Sequence, residues 1–376
     1  MTSKKDIKVD YANSILALSQ SLLRHFGCTS DYPSLKILDP ILEEQYENVV
    51  LMILDGMGVN VLAKNLPETA FLRQHVVSHI SSVFPSTTAA ATTAYHSGLP
   101  PIASGWLGWM SYFPQYDKII EVFRNNDYYS GKKQTTPLPT ESILKYTSVY
   151  ERICKKNPDI EYHKIFPNFE KDGCATFQEE CEKIVSYSQQ NHAKKLLLAY
   201  WTEPDHTMHD QGVTSQDVQH IIQDINDCID KISHQLKNTL IIISADHGML
   251  DSEMILLNNY PDICSLFERP PSLESRFVNF FIKKGKETEF KKLFEFHFEK
   301  DFVLYDKEEI LKSGILGKGK RHNFVDQTLG NFLVIAVGKK SLHYTTGERP
   351  LKQFKGEHAG FTPEEMIVPL IVIKRK

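Results

Sequence analysis

Asp246 and His247 stand side by side in Ser244-Ala245-Asp246-His247-Gly248, directly after the apolar run Leu240 to Ile243. Three other segments repeat this pairing of ligand-type side chains with an apolar run. Val49 to Leu54 ends in Asp55-Gly56, and Leu196 to Trp201 is followed by Asp205 and His209. His358 lies in Gly356-Glu357-His358-Ala359-Gly360, ahead of the run Met366 to Ile373. Carboxylates mixed with imidazoles suit a borderline divalent ion such as zinc, or manganese where carboxylates dominate. The spacing Asp205-x-x-x-His209 sets both side chains on one side of a helical turn. Divided between two ions, three Asp and three His give three protein ligands each. Positions are then left open for substrate, as catalytic sites need. Two such ions, about 3.5–4 Å apart, clamp the attacking and leaving oxygens of an in-line phosphoryl displacement.

That chemistry also needs a nucleophile. Thr87 and Thr88 follow Phe84-Pro85-Ser86 and open a small-residue segment that reads as a helix over 87–97, closed by Gly98. Free N–H groups and the macrodipole draw phosphate to a helix N-terminus. A hydroxyl activated by a metal there is a strong nucleophile at neutral pH.

The elements that must hold these groups read as alternating strands and helices. Val49–Leu54, Leu196–Trp201 and Leu240–Ile243 are continuous apolar runs, the pattern of parallel strands buried on both faces. Ligands bind at the carboxyl ends of such strands. Apolar positions Ile15, Leu16, Leu18, Leu22, Leu23 and Phe26 mark an amphipathic helix ending near Gly27. Ile221, Ile222, Ile225, Ile229, Ile232 and Leu236 mark one face of a longer helix. Residues 112–145 carry weak periodicity and read as loops and short elements. From about residue 256 the texture becomes β-α-β-α-β: strands at 276–282, 302–305 and 332–337, with helices between them. The expected fold is α/β, a mostly parallel sheet sandwiched by helices, with a smaller α+β insert. The expected division is a core of 1–255 and 346–376 and an inserted subdomain of 256–345.

Composition is that of an ordinary globular protein: 376 residues, 41% hydrophobic, 24% charged, formal net charge −4. No broad basic footprint suggests stable nucleic-acid binding or a membrane surface. The Lys/Arg clusters at 283–284, 291–292 and 318–321 are short and read as solvated surface. Six scattered cysteines show no zinc-ribbon or CxxC spacing. The N-terminus is polar, and no run approaches a membrane span. The expectation is a cytosolic, cytoplasmic protein with reduced thiols.

Taken together, Leu54-Asp55-Gly56, Phe84-Pro85-Ser86-Thr87-Thr88, Glu203-Pro204-Asp205 with His209, Asp246-His247-Gly248, and Gly356-Glu357-His358-Ala359-Gly360 with Thr362-Pro363-Glu364-Glu365-Met366 resemble the alkaline phosphatase superfamily. Within it the chain resembles the type I phosphodiesterase/nucleotide pyrophosphatase branch. The segments come in the family's order and span about residues 49–373. The resemblance implies an alkaline phosphatase-like fold and a nucleophile at Thr88. It implies one zinc held by Asp205, His209 and His358, and another by Asp55, Asp246, His247 and the Thr88 oxygen. It implies a small-molecule phosphoester or nucleotide substrate, most of all a phosphodiester or nucleotide pyrophosphate. The phosphoryl group would pass through a covalent phospho-Thr88 intermediate.

One position departs from the family. Diesterases of this branch often carry Asn three residues after the nucleophile, and here that residue is Ala91. The run Thr88-Ala89-Ala90-Ala91-Thr92 looks instead like the segment after the nucleophile of alkaline phosphatases proper, which add an Arg for the monoester's extra charge. The nearest Arg after Thr88 is Arg124. Phosphomonoesterase and phosphomutase therefore stand as alternatives, and a non-catalytic nucleotide-binding protein as the alternative of another class. A sulfatase is disfavoured, because its Cys-x-Pro-x-Arg setting is missing. Trp106, Trp109 and Trp201 either line a leaving-group pocket or pack the core. His206, His322 and Arg321 read as bystanders.

Overall fold

The computed structural model describes residues 7–190 and 193–376. The polar N-terminal stretch that entered the localisation argument lies largely outside them. A six-stranded sheet runs through the larger lobe in the order Val76–Ser81, Ile367–Arg375, Thr239–Ser244, Asn48–Leu54, Lys195–Trp201, Glu161–Ile165. Asn48–Leu54 pairs in parallel with both Lys195–Trp201 and Thr239–Ser244, and Glu161–Ile165 adds in parallel to the far edge. Ile367–Arg375 is antiparallel to Thr239–Ser244 and to Val76–Ser81. Every residue of Asn48–Leu54 and Thr239–Ser244 is buried. Helices flank the sheet, so its central strands bury both faces and are apolar throughout.

Local chemistry explains the flanking helices. Ser14 caps Ile15–His25 by accepting from the Ala17 N–H, and Ser215 caps Gln216–Ser233 by accepting from Val218. Phe26 N–H closes the first of these on the Leu22 carbonyl, and Gly27 follows at φ +69°. The helix Thr88–Ser97 ends on Gly98 at φ +66°. Its Ala90, Ala91 and Ala94 are buried in the same core as the strands. Small side chains let this helix lie close to the sheet.

A second, seven-stranded antiparallel sheet has the order Phe302–Asp306, Phe332–Ala336, Phe277–Ile282, Phe267–Leu273, Met110–Phe113, Lys118–Glu121, Asn126–Asp127. The strands expected at 276–282, 302–305 and 332–337 are there within a residue. The last three strands of the order fall mostly in the stretch 112–145 read as loops and short elements. They are only two to four residues long, too short for alternation to register. The helix Glu287–Phe298 packs Phe290, Phe294 and Phe298 against this sheet.

Candidate active site

Strand register brings the ligand-type residues together. Leu54 is opposite Trp201, and Ile53 is opposite Ser244. The chain therefore leaves all three strands at one edge, at Asp55, Asp205 and Asp246. The Asp55 N–H donates to the Trp201 carbonyl at 2.9 Å, and the Asp205 N–H to the Asp55 carbonyl at 3.1 Å. The turn after Asp55 depends on glycine. Gly56 has φ +72°, and a Cβ there would meet the Asp205 Cβ at 3.0 Å. Its N–H donates instead to Asp246 Oδ1 at 3.1 Å. Gly248 lies so close to the Glu364 carbonyl oxygen that a Cβ would meet it at 2.0 Å. This contact docks the segment after His358 onto the Asp246-His247 turn.

The three histidines share one hydrogen-bond pattern. Nδ1 of His247 is 2.9 Å from the Gly248 carbonyl, Nδ1 of His209 is 2.8 Å from the Gly356 carbonyl, and Nδ1 of His358 is 3.2 Å from the Ser86 carbonyl. A carbonyl only accepts, so each Nδ1 carries the proton and each Nε2 presents a lone pair. Those lone pairs meet carboxylates. His247 Nε2 is 3.4 Å from Asp55 Oδ1 and 3.4 Å from Asp246 Oδ2. His209 Nε2 is 3.4 Å from Asp205 Oδ2, and His358 Nε2 is 3.8 Å from Asp205 Oδ1.

Acceptors therefore face acceptors, an arrangement that a bound cation or a proton satisfies. Asp55 Oδ1, Asp205 Oδ1 and Asp246 Oδ2 are buried and have no hydrogen-bond partner among the described residues. Unpaired buried oxygens of this kind are costly unless an ion takes them up. Burial, then the charges of Asp246 and Asp205, push the Asp55 carboxyl well above its ordinary range. Burial, then His247 and His209, push the His358 imidazole well below its own. The rings of His247 and His358 are stacked at 3.9 Å. The ligand atoms of Asp205, His209 and His358 lie within 4.8 Å of one another, and so do those of Asp55, Asp205 and His247. The donor set fits two divalent ions, with Asp205 between the two groups.

The two threonines separate here. Thr87 Oγ1 donates to Glu274 Oε1 at 2.6 Å. Thr88 begins the helix, and its Oγ1 is 3.1 Å from His247 Nε2. No side chain caps this helix, so its first N–H groups stay available for an anion beside Thr88.

The site opens into a cleft of about 480 Å³ that contains Thr88, Asp205, His209 and His358 in its lining. Its far wall comes from the second sheet and the segment after it, including Glu274, Ser275, His343, Tyr344 and Arg349. Trp109 faces the cleft, with the Arg124 guanidinium 5.3 Å from its ring centre. His206, read as a bystander, also lines it. Trp106 is buried and donates to the Leu144 carbonyl, while Trp201 packs on Phe177. His322 caps its own helix, and Arg321 pairs with Asp326. A larger hollow of about 1090 Å³ lies at the amino ends of the parallel strands and contains none of these groups.

Several supporting residues carry no sequence signal. The Tyr200 hydroxyl donates to Asp55 Oδ2. Glu357, next to His358, accepts from Ser275, Ser341 and His343. Arg276 and Glu365 form a fully buried two-point ion pair, Nε to Oε1 at 2.7 Å and Nη2 to Oε2 at 2.9 Å. Glu365 also accepts from the N–H groups of Gly360 and Thr362. This pair ties the second sheet to the loop that carries His358. Tyr200, Ser275 and Arg276 come from segments distant from the carboxylates they meet, so spacing could not reveal them.

A mostly parallel sheet with a carboxylate- and imidazole-lined site at its carboxyl edge defines an α/β fold of the alkaline phosphatase type. The chain belongs to the type I phosphodiesterase / nucleotide pyrophosphatase family, whose model matches residues 49–271. It is 28% identical over 165 residues to human ectonucleotide pyrophosphatase/phosphodiesterase family member 5, covering 40% of this chain and 33% of that protein. The chain thus spans about a third of the length of the curated relative it matches. Among solved structures, murine ectonucleotide pyrophosphatase/phosphodiesterase 5 superimposes with a TM-score of 0.63 at 18% identity, over 86% of this chain and 87% of that one. An inactive variant of the murine protein in complex with AMP gives 0.62 at 18% identity, over 87% of each chain. Phosphonoacetate hydrolase from Sinorhizobium meliloti, in complex with phosphonoformate, gives 0.60 at 13% identity, over 86% and 89%. These likenesses establish the shared fold. Among the described residues, no helix is long and apolar enough to cross a membrane.

Proposed function

We propose that this chain is a two-metal hydrolase of phosphoesters, acting on phosphodiester or nucleotide pyrophosphate bonds through a covalent phospho-Thr88 intermediate. Asp205, His209 and His358 would hold one ion. Asp55, Asp246, His247 and the Thr88 oxygen would hold the other. Zinc suits the three imidazoles, and manganese is the alternative. The observation that carries this reading is the common histidine tautomer: three Nε2 lone pairs turned toward a carboxylate cluster in which Asp55 Oδ1, Asp205 Oδ1 and Asp246 Oδ2 have no hydrogen-bond partner among the described residues. When bound, the ions would supply Lewis acidity at the phosphoryl and leaving oxygens.

The chain's own groups do the rest. The N-terminus of the helix Thr88–Ser97 holds the phosphoryl oxygens. Thr88 Oγ1 loses its proton to solvent and attacks phosphorus in line, and the bond to the leaving alcohol or phosphate breaks, its oxygen taking up a proton from solvent. Water then attacks the same phosphorus, and the bond to Thr88 Oγ1 breaks, restoring the hydroxyl. The far wall of the cleft receives the leaving group. The murine relative's complex with AMP supports a nucleotide as substrate.

We keep the division into a core of 1–255 and 346–376 with an insert of 256–345. It is supported by the mutual pairing of Phe277–Ile282, Phe302–Asp306 and Phe332–Ala336. Strands from 110–127 extend the insert's sheet. A cytosolic location is supported by six unpaired cysteines. Arg124 in the cleft favours a second reading, a phosphomonoesterase. One assay tests both: hydrolysis of a bis-aryl phosphodiester and an aryl phosphomonoester by zinc-loaded native protein, chelator-treated protein and Thr88→Ala. Diester turnover that needs both metal and Thr88 is expected. Faster monoester turnover would favour the second reading, and turnover by Thr88→Ala equal to native would overturn both.

A further inference from the structure

Glu274 sits in the hairpin between Phe267–Leu273 and Phe277–Ile282, far in sequence from every ligand segment. Its backbone is held under strain. Leu273, just before it, is buried and has φ +80°, a conformation that branched side chains rarely adopt. The Leu273 backbone packs so closely on Gly108 that a Cβ at Gly108 would meet it at 3.1 Å. The Glu274 N–H closes the hairpin on the Phe277 carbonyl at 3.1 Å. Local strain of this kind concentrates where a side chain must be aimed.

The aim is at the residue before the nucleophile. Glu274 Oε1 accepts from Thr87 Oγ1 at 2.6 Å and from the Trp109 N–H at 2.6 Å. Thr87 is the residue before Thr88. Among the described residues nothing hydrogen-bonds to Oε2 and no cation pairs with this carboxyl, which lines the cleft. Two of the cleft's cations are engaged by other carboxylates. Arg349 reaches Glu121 at 3.4 Å and lies 4.5 Å from the Tyr128 ring centre. Lys352 pairs with Asp210 at 2.8 Å. Arg124 lies over Trp109.

We propose that Glu274 sets the substrate class: its carboxylate beside the nucleophile rejects the dianion of a phosphomonoester and admits the single charge of a phosphodiester. The inference rests on the hydrolase reading above. A phosphodiester has one charged oxygen at the scissile phosphorus, and a monoester above neutrality has two. Repulsion by a fixed carboxylate therefore roughly doubles for the monoester. Burial pushes the Glu274 carboxyl up to about 7, against the pull of the Thr87 hydroxyl and the Trp109 N–H. In alkaline assays the group is thus an anion.

The test measures kcat/KM for a bis-aryl phosphodiester and an aryl phosphomonoester at pH 8.5 in zinc-loaded native, Glu274→Gln, Glu274→Asp and Arg124→Ala proteins. Glu274→Ala substitutes for the Gln variant should that fail to fold. The diester-to-monoester ratio is expected to fall at least tenfold in Glu274→Gln, mainly through faster monoester turnover. Glu274→Asp keeps the charge and should keep the native ratio. In the Thr88→Ala background, calorimetry should show inorganic phosphate binding at least tenfold tighter once Glu274 is Gln. A ratio within twofold of native in Glu274→Gln would overturn the proposal. So would an equal fall in the Gln and Asp variants, or a fall in Arg124→Ala alone. If native protein prefers the diester and the ratio does not move, only this inference fails. If native protein prefers the monoester or turns over neither, the diesterase reading fails with it.

Discussion

The hydroxyl of Thr88 lies 3.1 Å from Nε2 of His247, across 159 residues of chain. His247 cannot donate from that nitrogen, because its proton is committed to the Gly248 carbonyl through Nδ1. The threonine is thus the donor, and its oxygen sits at the edge of the Asp55–Asp246–His247 cluster. Thr88→Ala should lower kcat by about 10³-fold or more. Thr88→Ser, which keeps the oxygen, should lose far less. Steady-state kinetics on metal-replete protein checks the contrast, and equal losses would remove Thr88 from the chemistry.

Crowded carboxylates without counterions destabilise the metal-free fold. Asp55 and Asp246 are both buried, each with an unpaired oxygen. Asp55→Asn should therefore raise the melting temperature of metal-free protein, by an effect on the order of 1–2 kcal/mol given the screened repulsion between near carboxylates. The same variant should lose most of the metal-induced rise, which for native protein is about 2.7 kcal/mol at 100 times Kd. Calorimetric melting with and without zinc reads both. A native-sized zinc response in the variant would mean that Asp55 is not a ligand.

Arg276 and Glu365 are fully buried and hold each other by two hydrogen bonds. Arg276→Met strands the Glu365 carboxylate in the interior and should cost about 3–5 kcal/mol in urea unfolding. Replacing both partners by apolar residues should cost less than Arg276→Met alone. An additive double variant would mean that the pair contributes through packing rather than charge.

Burial, then the nearby Lys164, holds His96 down at about 4, while in the unfolded chain it titrates near its ordinary value of about 6.5. The rings of Tyr150 and Phe166 face it edge-on. Between these values the unfolded state binds the extra proton. The stability from a neutral His96 is therefore complete above pH about 6.5 and is lost as pH falls toward about 4, by on the order of 2–3 kcal/mol. His96→Phe should flatten the dependence of the urea midpoint on pH in that window. An unchanged slope would assign the acid loss to other groups.

Much of the site could be read from residue types, because each ligand follows or precedes an apolar run. Asp55, Asp205 and Asp246 had to share an edge once their strands were parallel, and the structure brings them within reach of His209, His247 and His358. The sequence could not choose between Thr87 and Thr88 without the family's pattern. Geometry separates them, since Glu274 takes the Thr87 hydroxyl. Glu274 itself was illegible, as a lone Glu in a hairpin turn with no partner at helical or strand spacing. The strands at 110–113, 118–121 and 126–127 were not individually legible within a stretch read as loops and short elements, because runs so short are set by the neighbours they pair with. Arg124, remote from Thr88 in sequence, shares its cleft only because these strands fold back over the site.

The most direct measurement is intact mass after acid quench. Zinc-loaded protein would be mixed with a bis-aryl phosphodiester, quenched within the first turnovers and fragmented to locate any adduct. The account predicts an arylphosphoryl group on Thr88, absent from Thr88→Ala and from chelator-treated protein. Diester turnover continuing in Thr88→Ala, with no adduct on the native chain, would contradict it.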